Sequence, residues 1–117
     1  MSDTLKVHPC QAHTYRIVDT EENYLGFYTT CVDHSTKVMH IYHLEVFPAY
    51  RNRGYGTTIV LSLIDTLQHF GLKALYAHVD ADNPDAQRFF EKLGIMEQTM
   101  GWDGRYLVTL YKDPCSN

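Results

Sequence analysis

Cysteine is scarce: Cys10, Cys31 and Cys115 are the only three in 117 residues. An odd number with no C-x-x-C pair fits reduced thiols better than a disulfide framework, and no role is expected of them. Four prolines and seven glycines are too few for a disordered or collagen-like chain. Positive charge is in short supply as well. Ten Lys and Arg stand against fourteen Asp and Glu, for a net charge of −4. The excess that a phosphate backbone requires is missing, so nucleic acid is not an expected partner. No apolar run approaches the length of a membrane span. MSDTLKVHPCQAH has neither the basic start nor the apolar middle of a signal peptide. The expectation is no membrane association and a cytoplasmic location.

What the chain does have is apolar material, 44% hydrophobic and 13% aromatic, in a length that fits one ordinary core, so residues 1–117 are expected to form a single domain. TYRIVD (14–19), YLGFYTTCV (24–32) and KVMHIYHLEVF (37–47) are rich in β-branched and aromatic residues, and polar clusters of hairpin length separate them. They predict an antiparallel meander with no helix before residue 50. From Tyr55 the period changes. Ile59, Val60, Leu63, Ile64, Leu67 and Phe70 fall on one helical stripe, and Gly71 stands where a C-terminal cap belongs. ALYAHV (74–79) then reads as a strand parallel to the one before the helix, because a helical crossover returns the chain in the same direction.

Asn83 and Pro84 make an N-cap and first-turn pair, Ala86, Phe89, Phe90 and Leu93 a second buried stripe, and Gly94 the end of that helix. GWDGRYLVTLYK closes as a hairpin turning on Asp103 and Gly104. The predicted fold class is α/β with a mixed sheet: an antiparallel N-terminal meander, a β-α-β unit, and a C-terminal helix plus hairpin.

Between the third strand and the first helix lies YRNRGYGTT (50–58). Backbone N–H groups at a helix N-terminus are unpaired and carry the positive end of the dipole, and glycine lets an anion approach them closely. Arg51 and Arg53 add charged donors that suit a pyrophosphate better than a lone carboxylate. The bland alternative is a tight turn that needs glycine only for its backbone, with solvated arginines. These nine residues alone do not decide between the two. The third glycine of the dinucleotide fingerprint is missing, and no Gly-Lys-Ser/Thr follows as a P-loop would need.

In LEVFPAYRNRGYG, Val46, Pro48, Arg51, Gly54 and Gly56 stand in the register of a strand ending Val-x-Pro and a loop Arg/Gln-x-x-Gly-x-Gly/Ala. NPDAQRFFEKLGI matches Asn-x-x-Ala-x-x-Phe-Tyr-x-x-x-Gly-Phe at Asn83, Ala86, Phe89 and Gly94, with Phe90 and Ile95 as departures. With the two motifs in this order, the chain from about residue 37 onward resembles the GNAT acetyltransferases, most of all small GNAT-domain proteins and N-terminal acetyltransferases.

The resemblance implies acetyl-CoA as cosubstrate. Backbone groups of Leu44, Glu45 and Val46 would pair with the pantetheine arm. Arg51, Asn52, Arg53, Gly54, Tyr55, Gly56 and Thr57 would wrap the pyrophosphate, with Asn83 and Phe90 also at the cofactor. A V-shaped gap between the third strand and ALYAHV would admit the thioester, with a backbone N–H facing its carbonyl.

The implied reaction is direct acetyl transfer to a primary amine, on a peptide or protein N-terminus or a small molecule, and it needs a base and an acid. The family's usual acid is the tyrosine of the Phe-Tyr pair, and Phe90 cannot donate a proton. His78 stands where related N-terminal acetyltransferases carry a glutamate or histidine base, and Tyr42 matches a tyrosine of the same enzymes. His78 is therefore the expected base and Tyr42 its partner, with Glu45 and His40 as reserves. Each also has a plain structural reading, a hydrogen-bonded strand-end histidine and a sheet-face aromatic. His8-x-Cys10-x-x-His13 and Cys31-x-x-His34 have ligand-like spacing but no second half, so no metal is expected. Only TEEN separates the first two strands, where the family inserts two helices. That leaves the acceptor side open to a peptide or closed by a second subunit, a homodimer being one such arrangement. The competing reading is a CoA-binding regulatory module with weak or no turnover.

Overall fold

The structure, a computed structural model, describes residues 12–101 and 104–114, apart from the side chains of residues 95–100. Strands β1 (Ala12–Val18), β2 (Tyr24–Asp33) and β3 (Val38–Val46) form the antiparallel meander, and no helix occurs between residues 12 and 47. Both hairpin turns are held by a carboxylate. Asp19 accepts the Glu21 and Asn23 amides at 2.9 Å each. Asp33 accepts the Ser35 hydroxyl at 2.7 Å and its amide at 3.0 Å, while Glu22 and Lys37 take up left-handed backbone conformations. The side chain of Asn23 and the hydroxyl of Ser35 are the main causes that hold the Asp19 and Asp33 carboxyls below their ordinary value.

A single 3₁₀ turn (Pro48–Tyr50) leads into helix α1 (Tyr55–His69), strand β4 (Ala74–Val79), helix α2 (Pro84–Leu93), and strands β5 (Ile95–Met100) and β6 (Tyr106–Lys112). The sheet order is β1-β2-β3-β4-β6-β5, in which only β3 and β4 run parallel. The β-α-β unit thus sits at the centre of a mixed sheet, as the change of period at Tyr55 predicts. Val60, Leu63 and Leu67 of α1 and Phe90 of α2 bury against Met39, Ile41, Leu75, Ala77, Val79, Val108 and Leu110. These strand residues alternate in sequence, so both helices cover one face of the sheet.

Two expectations need correction. Phe70 is not on the buried stripe: α1 ends at His69, and Phe70 at its C-cap is 72% exposed. Gly71 does form the cap, with φ +74° and Leu72 N–H bonded to the Leu67 carbonyl. Gly94 ends α2 as expected, as a C-cap in extended backbone whose N–H is bonded to the Phe90 carbonyl at 2.9 Å. It is glycine because a Cβ there would lie 2.3 Å from the Thr109 carbonyl oxygen of β6. Cys31 is disulfide-bonded, so the reading of three reduced thiols fails. Its two candidate partners, Cys10 and Cys115, lie outside the described residues, as does Asp103 of the expected final turn. Gly104 has φ +80°.

Candidate functional site

Residues 51–54 form an exposed loop between β3 and α1. Two of its residues are left-handed, Asn52 at φ +66° and Gly54 at φ +83°. Gly54 is the N-cap of α1 and gives it no side-chain hydrogen bond, and no acidic residue stands in the first turn. The first helical bond is Thr58 N–H to the Gly54 carbonyl at 3.0 Å. The amides of Tyr55, Gly56 and Thr57 therefore lie ahead of the α-helical ladder, at the positive end of the helix dipole. No residue other than Gly54's chain neighbours comes within 4 Å of where its Cβ would be, so this glycine is a matter of backbone conformation. Gly56 is a matter of space: a Cβ there would meet the Phe89 ring at 2.9 Å.

Arg51 is less available than its position suggests, because its Nε donates to the Val46 carbonyl at 2.7 Å and ties the loop to the end of β3. Arg53 lies 6.0 Å above the Tyr50 ring.

The parallel ladder between β3 and β4 is short. It runs from Val38–Ala74 to Ile41–Ala77 and stops, while β3 continues to Val46 against β2 and β4 to Val79 against β6. The two central strands thus part company, leaving an edge inside the sheet where the family resemblance implies a V-shaped gap. The register with β2 steps from Thr30–Ile41 to Thr29–His43, leaving Tyr42 as a bulge at the point of separation. Met39, Ile41 and Leu44 pack with the core, so alternation breaks at the bulge and Tyr42 and His43 both face away from the helices.

On that face, opposite α1 and α2, His40, Tyr42 and His78 form one cluster. The Nδ1 of His40 and Nε2 of His78 are hydrogen-bonded at 2.9 Å. The Tyr42 ring lies 4.7 Å from that of His78 and is stacked on His40 at 5.8 Å. His78 is 5% exposed. The expected base and its expected partner are therefore adjacent, just beyond the last paired residues.

Glu45 is not part of this cluster. It accepts from or pairs with His43 at 3.3 Å, and His43 stacks on Phe27. Leu44 and Val46 pair with Tyr28 and Gly26 of β2, which leaves their other side toward the gap. Asn83 accepts the Ala86 amide at 3.1 Å as the N-cap of α2. Phe90 is buried in the core at 5% exposure.

Arg105, at the start of β6, carried no signal in the sequence. Its Nη1 donates to the Tyr42 carbonyl at 2.5 Å and its Nε lies 3.3 Å from Asp80, so it braces the bulge across the end of β4. Only the fold brings residues 42, 80 and 105 together. A cavity of about 690 Å³ between α1 and the meander is lined by Tyr15, Tyr28, Thr30, Met39 and Leu63 among others, and by none of the predicted site residues. Among the described residues there is no group of three or more metal-ligating side chains; His8 and Cys10 of the first ligand-like spacing lie outside them. No described helix is long and apolar enough to cross a membrane.

A profile of the Acetyltransferase (GNAT) family matches residues 2–95, reaching further toward the N-terminus than the two motifs. The chain is 31% identical over 102 residues to a mycothiol acetyltransferase of Renibacterium salmoninarum, covering 83% of this chain and 28% of that protein. It is 33% identical over 60 residues to the ribosomal protein bS18-alanine N-acetyltransferase of Escherichia coli, covering 51% of this chain and 40% of the relative. The chain thus spans less than half the length of these curated relatives.

In fold it is similar to the PaiA N-acetyltransferase of Thermoplasma acidophilum in complex with coenzyme A. There the TM-score is 0.71 and the identity 17%, over 86% of this chain and 60% of that one. It is also similar to the ribosomal-protein-S18-alanine N-acetyltransferase of Escherichia coli, with TM-score 0.68 and 20% identity over 97% and 77% of the two chains. The chain belongs to the Acetyltransferase (GNAT) family.

Proposed function

From this family membership we propose that the chain is an acetyl-CoA-dependent N-acetyltransferase that moves an acetyl group directly to a primary amine, and that residues 1–117 act as one domain. The observation that carries the reading is the meeting of two features at one end of β3: the ladder to β4 stops at Ile41, and an uncapped helix start follows at Gly54. A thioester cosubstrate needs both, a slot between strands for its arm and amides for its phosphates.

The residues fit such a group. The first-turn amides of Tyr55, Gly56 and Thr57 lack a side-chain cap, Gly54 leaves open space above them, and Arg53 and Asn52 belong to the exposed loop. Acetyl-CoA supplies an activated acyl group. The chain supplies the path for the amine proton, His78 as base with Tyr42 beside it. Arg51 serves by tying the loop to Val46. Asn83 would offer its amide nitrogen, its oxygen being used in the cap. Phe90 lies in the core, so Tyr42 takes the acid role that the family's tyrosine would fill there. The face beside Tyr42, opposite α1 and α2, is the expected side for the amine. An N-terminal peptide is favoured over a compact amine, because only residues 19–23 separate β1 from β2, where the family inserts two helices.

The test is acetyl transfer to a panel of N-terminal peptides, polyamines and aminoglycosides. His78→Ala and Tyr42→Phe should each lower kcat by about 10²–10⁴-fold with CoA affinity nearly intact. Tight CoA binding by a wild type that transfers to no amine would favour the alternative that Phe90 suggests, a binding module without turnover.

A further inference from the structure

His40 stands opposite Tyr76 in the parallel ladder, so His78 is the next residue of β4 on the same face. The geometry brings the Nδ1 of one ring to 2.9 Å from the Nε2 of the other, with ring centroids 5.0 Å apart. A bond between two imidazoles uses one N–H and one lone pair. Two neutral rings satisfy it, and so does a pair carrying one extra proton, because that proton settles on a nitrogen outside the contact. A second extra proton would set N–H against N–H. At 5% exposure His78 has little water to offset two neighbouring positive charges.

We propose that His40 is a positioning residue for His78: it sets which nitrogen of His78 carries hydrogen, and it limits the pair to one added proton while the contact holds. The inference rests on the reading of His78 as the base. In that role the proton leaving the amine joins a nitrogen of the pair outside the contact. The hydrogen within the contact can pass from one ring to the other, and a proton is later released to water. Charge is thereby shared over two rings and no group is oxidised or reduced.

The surroundings favour a single charge. The Tyr42 ring is stacked on His40 at 5.8 Å, Tyr76 lies tilted to it at 6.1 Å, and Tyr42 also contacts His78, which suits one cation. Arg105, bonded to the Tyr42 carbonyl and itself paired with Asp80, opposes a second. From β2, Cys31 stands opposite His40.

Imidazole nitrogen NMR on the protein without any ligand tests the pair directly, the signals being assigned in the wild type through each ring's connection to its own backbone. The wild type should bind its two protons in steps separated by about two pH units or more, with His78 in one tautomer. In His40→Phe, His78 should titrate in one step as a mixture of tautomers. Independent titration of the two rings in the wild type, which needs no folded variant, would overturn the proposal, as would an unchanged His78 tautomer in His40→Phe.

The pH dependence of acetyl transfer is the second measurement. His40→Phe should shift the acid limb of kcat by about one unit and lower its plateau about tenfold. His40→Gln, which can hydrogen-bond but not titrate, should restore most of the plateau but not the two-step titration. A profile unmoved in both variants would also overturn the proposal. A wild type that transfers nothing refutes the reading of the site and leaves the pair to be decided by the titration alone.

Discussion

Helix α2 begins with the devices that close a helix start, and α1 begins with none of them. Asn83 accepts the Ala86 amide, Pro84 occupies the first turn, and Asp85 adds negative charge beside the dipole. At the start of α1 the cap is a left-handed glycine with no side chain, and the first turn holds no acid. Each helix follows one of the two central parallel strands and packs on the same face of the sheet, so neither setting nor burial explains the contrast. With glycine at the cap the missing side-chain acceptor costs only on the order of a few tenths of a kcal/mol, so the first turn of α1 can stay open cheaply. The proposed binding of acetyl-CoA would place its phosphates at this open start.

The sharpest way to break the comparison is to close α1. Thr57→Asp places a carboxylate in its first turn, where it competes for the amides and repels phosphate. Titration calorimetry should find CoA affinity lowered by about 10–100-fold, the loss of a charged hydrogen bond or two, while the melting temperature holds or rises. Unchanged affinity would mean that CoA does not use this helix start.

The next test opens α2. Asn83→Ala should lower unfolding free energy by about 1 kcal/mol. Asn83→Asp keeps an acceptor for Ala86 and removes only the amide donor, so urea melts should show stability near wild type. If that donor reaches the cofactor, both variants should bind CoA several-fold more weakly; if only the first loses anything, Asn83 is a cap alone.

The smallest effect extends the comparison to the two hairpin turns, which are capped by carboxylates in place of an amide. Asp19 and Asp33 have folded-state pKa values below the ordinary 3.8. Their contribution is therefore complete above that value and is lost as pH falls through the lowered ones. Asp33→Asn should flatten the acid limb of thermal stability slightly below about pH 4. An acid limb identical to wild type would show that Asp33 contributes nothing through its charge.

Much of this was legible because it depends on local period and turn chemistry. The switch at Tyr55, the Asn83-Pro84 start and the Gly71 cap each follow from a few adjacent residues, and the order of the two motifs places the loop. The rest depends on what lies across the sheet. The ladder between β3 and β4 stops at Ile41 through backbone divergence, which no side chain announces, and the bulge at Tyr42 changes which residues share a face without altering the run of amino acids. His40 reached the sequence reading only as a reserve, because its partner is 38 positions away. Phe70 misled by its helical spacing, one residue past the last turn. Gly94 was legible as the cap it is, but not its need for space, which comes from β6.

The contact between Gly56 and Phe89 carries a consequence for how this sequence can change over time. A methyl at position 56 would stand 2.9 Å from the tip of the Phe89 ring, so the ring must yield before the residue can. The two motifs are therefore not independent inheritances. A lineage that enlarges residue 56 must trim or tilt residue 89, and one that enlarges residue 89 cannot abandon the glycine. Variation at these positions is expected to come in compensated pairs, the size gained at one offset by size lost at the other.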